Sequence, residues 1–137
     1  MHTGSCLCQA VRYEYQGEPV QKSICHCLTC RKLCSGASTN ILIPSALFNL
    51  TSGKVKHYTV THESGMHLTA SFCEHCGVLL YKTADDPAFE CMVVLQVGTL
   101  DEPDTFDRAA PDTEQYIGYR AKWRPPLEYA AQKEGFS

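Results

Sequence analysis

Apolar and polar residues alternate with period two along several short stretches of this chain, and helical periodicity is scarce. Val11-Arg12-Tyr13-Glu14-Tyr15 alternates, Thr39–Ile43 runs into the breaker Pro44, and Val55–Val60 alternates again. Each is the pattern of a strand with one face buried. Glu63-Ser64-Gly65 supplies a turn, so residues 55–72 are predicted to form a hairpin whose second strand is His67–Phe72. Val78–Tyr81 and Met92–Val97 are compact apolar runs suited to buried strands. Helical turns are expected only over Leu28–Leu33 and Ser45–Phe48. The pattern predicts a mainly β fold, a small complex arrangement of antiparallel sheets. No repeat, low-complexity tract or linker divides residues 1–137, which read as one domain.

Composition narrows the function. The formal net charge of −3, with no basic stripe, argues against a nucleic-acid partner. No apolar run reaches membrane-spanning length, and Met1–Cys6 has neither a basic flank nor an apolar core. The expectation is a cytoplasmic protein without a membrane partner. In a reducing compartment, closely spaced cysteines read as metal or redox sites; the rival is a secreted disulfide scaffold.

Seven of the nine cysteines fall into Cys6-x-Cys8, Cys25-x-Cys27-x-x-Cys30 and Cys73-x-x-Cys76. A closed structural zinc site takes four ligands, whereas a catalytic site takes three and leaves a position open. Seven thiols therefore suit one site of each kind and two Zn²⁺ per chain. Cys6, Cys8, Cys73 and Cys76 form the natural closed shell, and Cys25, Cys27 and Cys30 the second site. Three readings of that second site stand side by side. It is open, or Cys34 closes it as a fourth ligand, or His26 does. An open Zn(Cys)₃ centre carries formal charge −1 and favours soft sulfur donors, which makes a small-molecule thiol a fitting fourth ligand. Arg31 and Lys32 follow directly, where they offset the negative charge or hold a substrate carboxylate. Their alternative is a solvated turn.

Gly4-Ser5-Cys6-x-Cys8-x-x-Val11-x-Tyr13, Cys25-His26-Cys27-x-x-Cys30-Arg31-Lys32 and Phe72-Cys73-x-x-Cys76-Gly77 resemble the glutathione-dependent formaldehyde-activating enzyme family, which includes centromere protein V. Tyr116-Ile117, Trp123 and Pro125-Pro126 resemble that family's closing segment. The resemblance implies zinc-tied β-sheets, a structural zinc on Cys6, Cys8, Cys73 and Cys76, and a catalytic zinc on Cys25, Cys27 and Cys30. It implies carbon–sulfur lyase activity of the S-(hydroxymethyl)glutathione synthase type, on a thiol, an aldehyde or their adduct, with glutathione a candidate partner. Two further readings keep the same metal: a non-catalytic zinc-stabilised binding module, and an enzyme of the same fold acting on a different biosynthetic intermediate. Cys34, in Leu33-Cys34-Ser35-Gly36, departs from the family pattern.

Among the remaining residues, Cys91 reads as a core thiol beside Met92–Val94. His57 and His67 are placed to meet across the predicted hairpin, and His75 to face solvent. His26 is the histidine best placed to carry a proton at the open site. Trp123 is expected to anchor the tail, and Gln115 and Tyr116 to line a pocket. Oligomeric state leaves no trace in the sequence.

Overall fold

The computed structural model describes residues Met1–Ser137. Eleven strands and two short helices follow in the order β1 (His2–Ser5), β2 (Arg12–Tyr15), β3 (Gln21–Cys25), α1 (Leu28–Cys34), β4 (Ser38–Pro44), β5 (Phe48–Ser52), β6 (Val55–Thr61), β7 (His67–Cys73), β8 (Leu79–Ala84), β9 (Met92–Gln96), α2 (Thr105–Arg108), β10 (Thr113–Gln115) and β11 (Ala131–Gln132). They form a three-stranded sheet, β1-β2-β5, and an eight-stranded sheet, β11-β10-β3-β4-β9-β8-β7-β6. Pairing is antiparallel except where β10 runs parallel to β3 and β11. The mainly β expectation holds, with sheets antiparallel throughout their larger part.

Strand alternation gives the large sheet two different faces. Ile41, Ile43, Val93 and Leu95 point to one side and pack with Tyr13, Tyr15, Phe48 and Leu50 of the small sheet to form the main core. Tyr13, Phe48 and Tyr81 stack through it, with ring centroids 5.4 and 5.1 Å apart. Gly4 pairs with Tyr13 across β1 and β2, and the Tyr13 ring lies over it so closely that a Cβ would sit 2.1 Å from the ring. Only glycine fits beneath that ring.

The other face carries Asn40, Leu42, Val94, Lys82, Ala84 and Leu68, which line a cavity. The register of β7 against β8 passes from Phe72↔Leu79 to Ser71↔Tyr81, so Leu80 is an extra residue. This bulge lets Leu80 and Tyr81 both enter the core while Lys82, opposite Val94, turns to the cavity.

The hairpin of β6 and β7 forms as predicted, with its turn at residues 62–66. Its register sets His67 opposite Thr61 and His57 opposite Ser71, so the two histidines do not meet. His57 Nδ1 lies 2.8 Å from Ser71 Oγ, and His67 pairs with Asp85. Cys91 is not a core thiol. It is exposed, with φ of 57° at the turn before β9, where its carbonyl accepts from the Ser45 amide at 2.8 Å. The turn geometry directs its side chain out. Trp123 does not anchor the tail, being 84% exposed. Glu114 performs that task instead, as shown below.

Candidate metal centre and cavity

Cys6 and Cys8 lie in the connection from β1 to β2, and Cys73 and Cys76 in the turn from β7 to β8. Their four sulfurs lie within 4.8 Å of one another. Cys8 Sγ is 3.6 Å from Cys6 Sγ and 3.7 Å from Cys73 Sγ. Two sulfurs ~2.3 Å from one tetrahedral zinc stand about 3.8 Å apart, so this shell fits the ion. Backbone amides address the sulfurs as they would thiolates. Val11 donates to Cys6 Sγ at 3.4 Å, and His75 and Cys76 donate to Cys73 Sγ at 3.3 and 3.5 Å. Gly77, at φ 74°, turns the chain into β8. The His75 side chain faces solvent.

The second group assembles where β3 runs into α1. Cys25 ends β3, held between Gln115 of β10 and Ser38 of β4. Cys27 is the N-cap of α1, its sulfur accepting from the Cys30 amide at 3.2 Å. Glu63 reaches over from the hairpin turn and accepts from the next two amides, Leu28 at 2.9 Å and Thr29 at 3.3 Å. The sulfurs of Cys25, Cys27 and Cys30 lie within 4.8 Å of one another, all buried. Both groups can therefore hold a zinc ion. Cys34 does not join the three. Its sulfur accepts from Gln96 Nε2 at 3.4 Å, and burial pushes its thiol up.

Cys30 is the best-supported anion of the trio. Hydrogen bonds from Cys25 and then Cys27 draw its thiol to about 2, with Lys82 and Ser38 assisting and burial opposing. Cys27 moves the other way, driven up by the same hydrogen bonds with Cys25 and Cys30. Ser38 Oγ donates to Cys30 Sγ at 2.9 Å and accepts from Lys82 Nζ at 3.1 Å and Asn40 Nδ2 at 2.9 Å. Lys82 Nζ also lies 3.6 Å from Cys30 Sγ. A lysine only 2% exposed is rare unless paired, and these contacts are its partners.

His26 alternates away from Cys25 and Cys27. Its Nε2 donates to Glu114 Oε1 at 2.7 Å, on the far side of the strand end. Burial alone would raise the Glu114 carboxyl. Hydrogen bonds from Gln132, His26 and the Leu127 amide, with the Arg120 charge, overcome that and hold it near 2. Glu114 thus gathers the C-terminal segment, bonding Leu127 N at 2.7 Å and Gln132 Nε2 at 2.8 Å. Arg31 is exposed and donates to the Tyr119 carbonyl at 3.2 Å.

Because the Glu114 pKa falls from 4.5 unfolded to about 2 folded, its contribution to stability is present above pH 4.5. It is lost as pH falls from 4.5 towards 2. The shift corresponds to roughly 3 kcal/mol. Urea melts of the wild type and Glu114→Gln are therefore expected to differ most at neutral pH and to converge as pH falls from 4.5 towards 2. The thiol ligands titrate alike in both proteins, so they cancel in the comparison. A difference independent of pH would remove Glu114 from this role.

The cavity opens onto the three thiols. Leu42, Met66, Leu68, Phe89, Val94 and Phe136 make its apolar wall, and Lys82, Asn40, Gln115 and His62 are among its polar lining. Gln115 lines it as expected, while Tyr116 packs against the cysteine trio and Phe136. His62 is buried. The Ser64 amide donates to its Nδ1 at 3.0 Å, leaving Nε2 without an aligned hydrogen-bond partner. Nε2 lies 2.7 Å from Glu63 Oε1, but the angles do not make a bond, and Glu63 is already engaged with α1. A ring nitrogen of His62, a Glu63 oxygen and Cys27 Sγ lie within 4.8 Å of one another.

The family model of the glutathione-dependent formaldehyde-activating enzyme matches residues 1–119. The chain belongs to this family. Among solved structures, it is similar to the crystal structure of a Rhodobacter sphaeroides protein, a structural-genomics target. The TM-score is 0.62 at 17% identity, over 80% of this chain and 96% of that one, a likeness of fold. The family match contains all seven clustered cysteines together with Lys82, Asn40, His62 and Glu114. No helix is long and apolar enough to cross a membrane.

Lys82, Asn40, His62, Glu63 and Glu114 were not singled out by their sequence. Lys82 sits in an alternating stretch, Tyr81-Lys82-Thr83, that reads as an ordinary surface lysine. An inward lysine on a central strand becomes visible only once β8 is paired on both sides.

Proposed function

We propose that the chain is a zinc-dependent carbon–sulfur lyase acting on a thiol, a carbonyl compound and their adduct. In this reading Cys6, Cys8, Cys73 and Cys76 hold a structural zinc. Cys25, Cys27 and Cys30 hold a second zinc with one position open to the cavity. The observation that carries the reading is the convergence of three thiols, without Cys34, on the end of a mainly apolar cavity. The family's name points to glutathione and formaldehyde as one such pair. A reducing compartment, the cytoplasm, suits the free thiols.

When bound, zinc supplies Lewis-acid polarisation and a standing supply of thiolate at neutral pH. The chain's residues do the rest. Apolar walls exclude water and hold sulfur and carbonyl carbon together, where positioning alone is worth several kcal/mol. Lys82, against Cys30 and Ser38, offsets the negative charge of three thiolates. The carbon–sulfur bond forms from a sulfur lone pair, the carbonyl π pair moves to oxygen, and the thiol proton ends on that oxygen. Cleavage is the reverse, and no oxidant or reductant enters. His62 Nε2, unpartnered in the cavity lining, is the group placed to carry that proton. His26 and Arg31 serve as positioning residues, because their side chains bind Glu114 and Tyr119.

A non-catalytic zinc module is the second reading, and His62 favours it. A ring nitrogen of His62 lies within 4.8 Å of Cys27 Sγ, where it would close the site by ligation once freed of its proton or of the Ser64 amide. Exchange between formaldehyde and its thiol adduct, followed by NMR with the zinc-loaded protein, separates the two. Acceleration above the buffer rate with at least one thiol is expected, and no acceleration across a panel of thiols and aldehydes would remove the enzyme reading.

A further inference from the structure

We infer that this cavity selects a compact adduct with an uncharged, largely apolar body and a single hydroxyl oxygen, in preference to a peptide thiol. The inference rests on the carbon–sulfur reading above and narrows its substrate class.

Charge is the first argument. Among Asp, Glu, Lys and Arg, only Lys82 lines the cavity, and it is already bound to Ser38 and Cys30. A peptide thiol such as glutathione brings two carboxylates and an ammonium. The lining offers no carboxylate for the ammonium and no arginine for either acid. Each unpaired charge taken from water into such a site costs several kcal/mol. The exposed cations near the cysteine trio lie elsewhere. Arg31, Lys122 and Arg124 line a surface cleft that shares no residue with the cavity. That cleft includes His26, which alternates away from Cys25 and Cys27, so it opens on the opposite side of the strand end. Its cations line that cleft and not the cavity.

Hydrogen bonding is the second argument. Asn40 is 3% exposed, and its Oδ1 has no partner. The amide cannot be reversed, because its nitrogen faces the Ser38 carbonyl at 3.4 Å, which only accepts. A free acceptor is thus held beside Ser38 Oγ, where Lys82 Nζ also docks with one of its three protons to spare. Lys82 offers a donor and Asn40 an acceptor, both side chains meeting at Ser38 Oγ, and the pair suits a hydroxyl that accepts from Lys82 and donates to Asn40. The adduct of a thiol and an aldehyde carries such a hydroxyl on the carbon bonded to sulfur. A buried acceptor without a partner is destabilising, and a ligand hydroxyl removes that cost. The rest of the wall, Leu42, Met66, Leu68, Phe89 and Val94, accepts hydrocarbon.

The test uses the full chain loaded with cobalt(II) and follows its visible absorption during titration with butane-1-thiol, 1-mercaptobutan-2-ol or glutathione. Butane-1-thiol is expected to saturate the change at a concentration at least about tenfold below glutathione. The hydroxythiol, whose hydroxyl stands one carbon farther from sulfur than the adduct's, is expected to bind more tightly than butane-1-thiol in the wild type and to lose that advantage in Asn40→Leu. Equal or tighter binding of glutathione overturns the inference and leaves the carbon–sulfur reading in place. No spectral change with any thiol overturns that reading instead. A hydroxyl advantage that is missing, or that persists in Asn40→Leu, overturns the role given to Asn40. Far-ultraviolet circular dichroism of Asn40→Leu confirms that the comparison is made on folded protein.

Discussion

Cys73→Ala is expected to give a chain that binds one zinc and has lost its cooperative thermal transition at physiological temperature. Cys73 Sγ stands 3.7 Å from Cys8 Sγ and accepts two backbone amides of its own turn. The residue is fully buried in the main core with Val11, Tyr13 and Leu80. Through this shell the β7–β8 turn of the large sheet is tied to the β1–β2 connection of the small one. A structural zinc contributes roughly 10–16 kcal/mol to folding in small domains, as much as or more than the ~5–15 kcal/mol that a whole domain retains. The Tyr13, Phe48 and Tyr81 stack and the single bridge from Gly4 to Leu100 remain, and cannot replace it. Native mass spectrometry gives the metal count, and calorimetry the transition. Two zinc ions and an unshifted melting temperature would show that this shell is not a fold-determining metal site.

Cys27→Ala is expected to behave differently: one zinc lost, turnover reduced to the solution rate, and a fold that survives. The trio lies at the end of β3 rather than between the sheets, so its loss leaves the main core intact. Two local costs remain. Removing the cap that Cys27 Sγ provides to the Cys30 amide costs about 1 kcal/mol. The vacated sulfur leaves a small void. Cys27→Ser keeps a capping oxygen, so it is expected to recover melting temperature without recovering turnover. That split separates the two roles of one side chain. Unfolding of both variants, as with Cys73→Ala, would make the second zinc structural and favour the binding-module reading.

Much of this was legible in the residue pattern. Strands β2, β4, β6, β7, β8 and β9 announce themselves by alternation or apolar runs, because one face of each is buried. The 4 + 3 grouping of the cysteines followed from spacing and ligand count, since a Cys-x-x-Cys turn can bring both its sulfurs to one metal. Strand β3 was legible only at its Ser23–Cys25 end, and β10 not at all. Gln21, Ser23 and Gln115 are polar, and their period-two signal is hidden because the side they face is a cavity and not a core. Cys91 and Trp123 misled for the opposite reason. Their chemistry suits a core, but backbone geometry at a turn and the competing Glu114 network left them outside.

What the sequence determined alone is local: which segments can be strands, and which cysteines lie close enough along the chain to share an ion. The tertiary structure decided everything that depends on direction. It turned Lys82 inward at a bulge, left Asn40 Oδ1 buried without a partner, sent His26 to Glu114 and Cys34 to Gln96, and brought His62 beside Cys27. A side chain's identity limits the bonds it can make. Only the pairing of strands distant in sequence settles which of those bonds is within reach, and so which residues face the cavity.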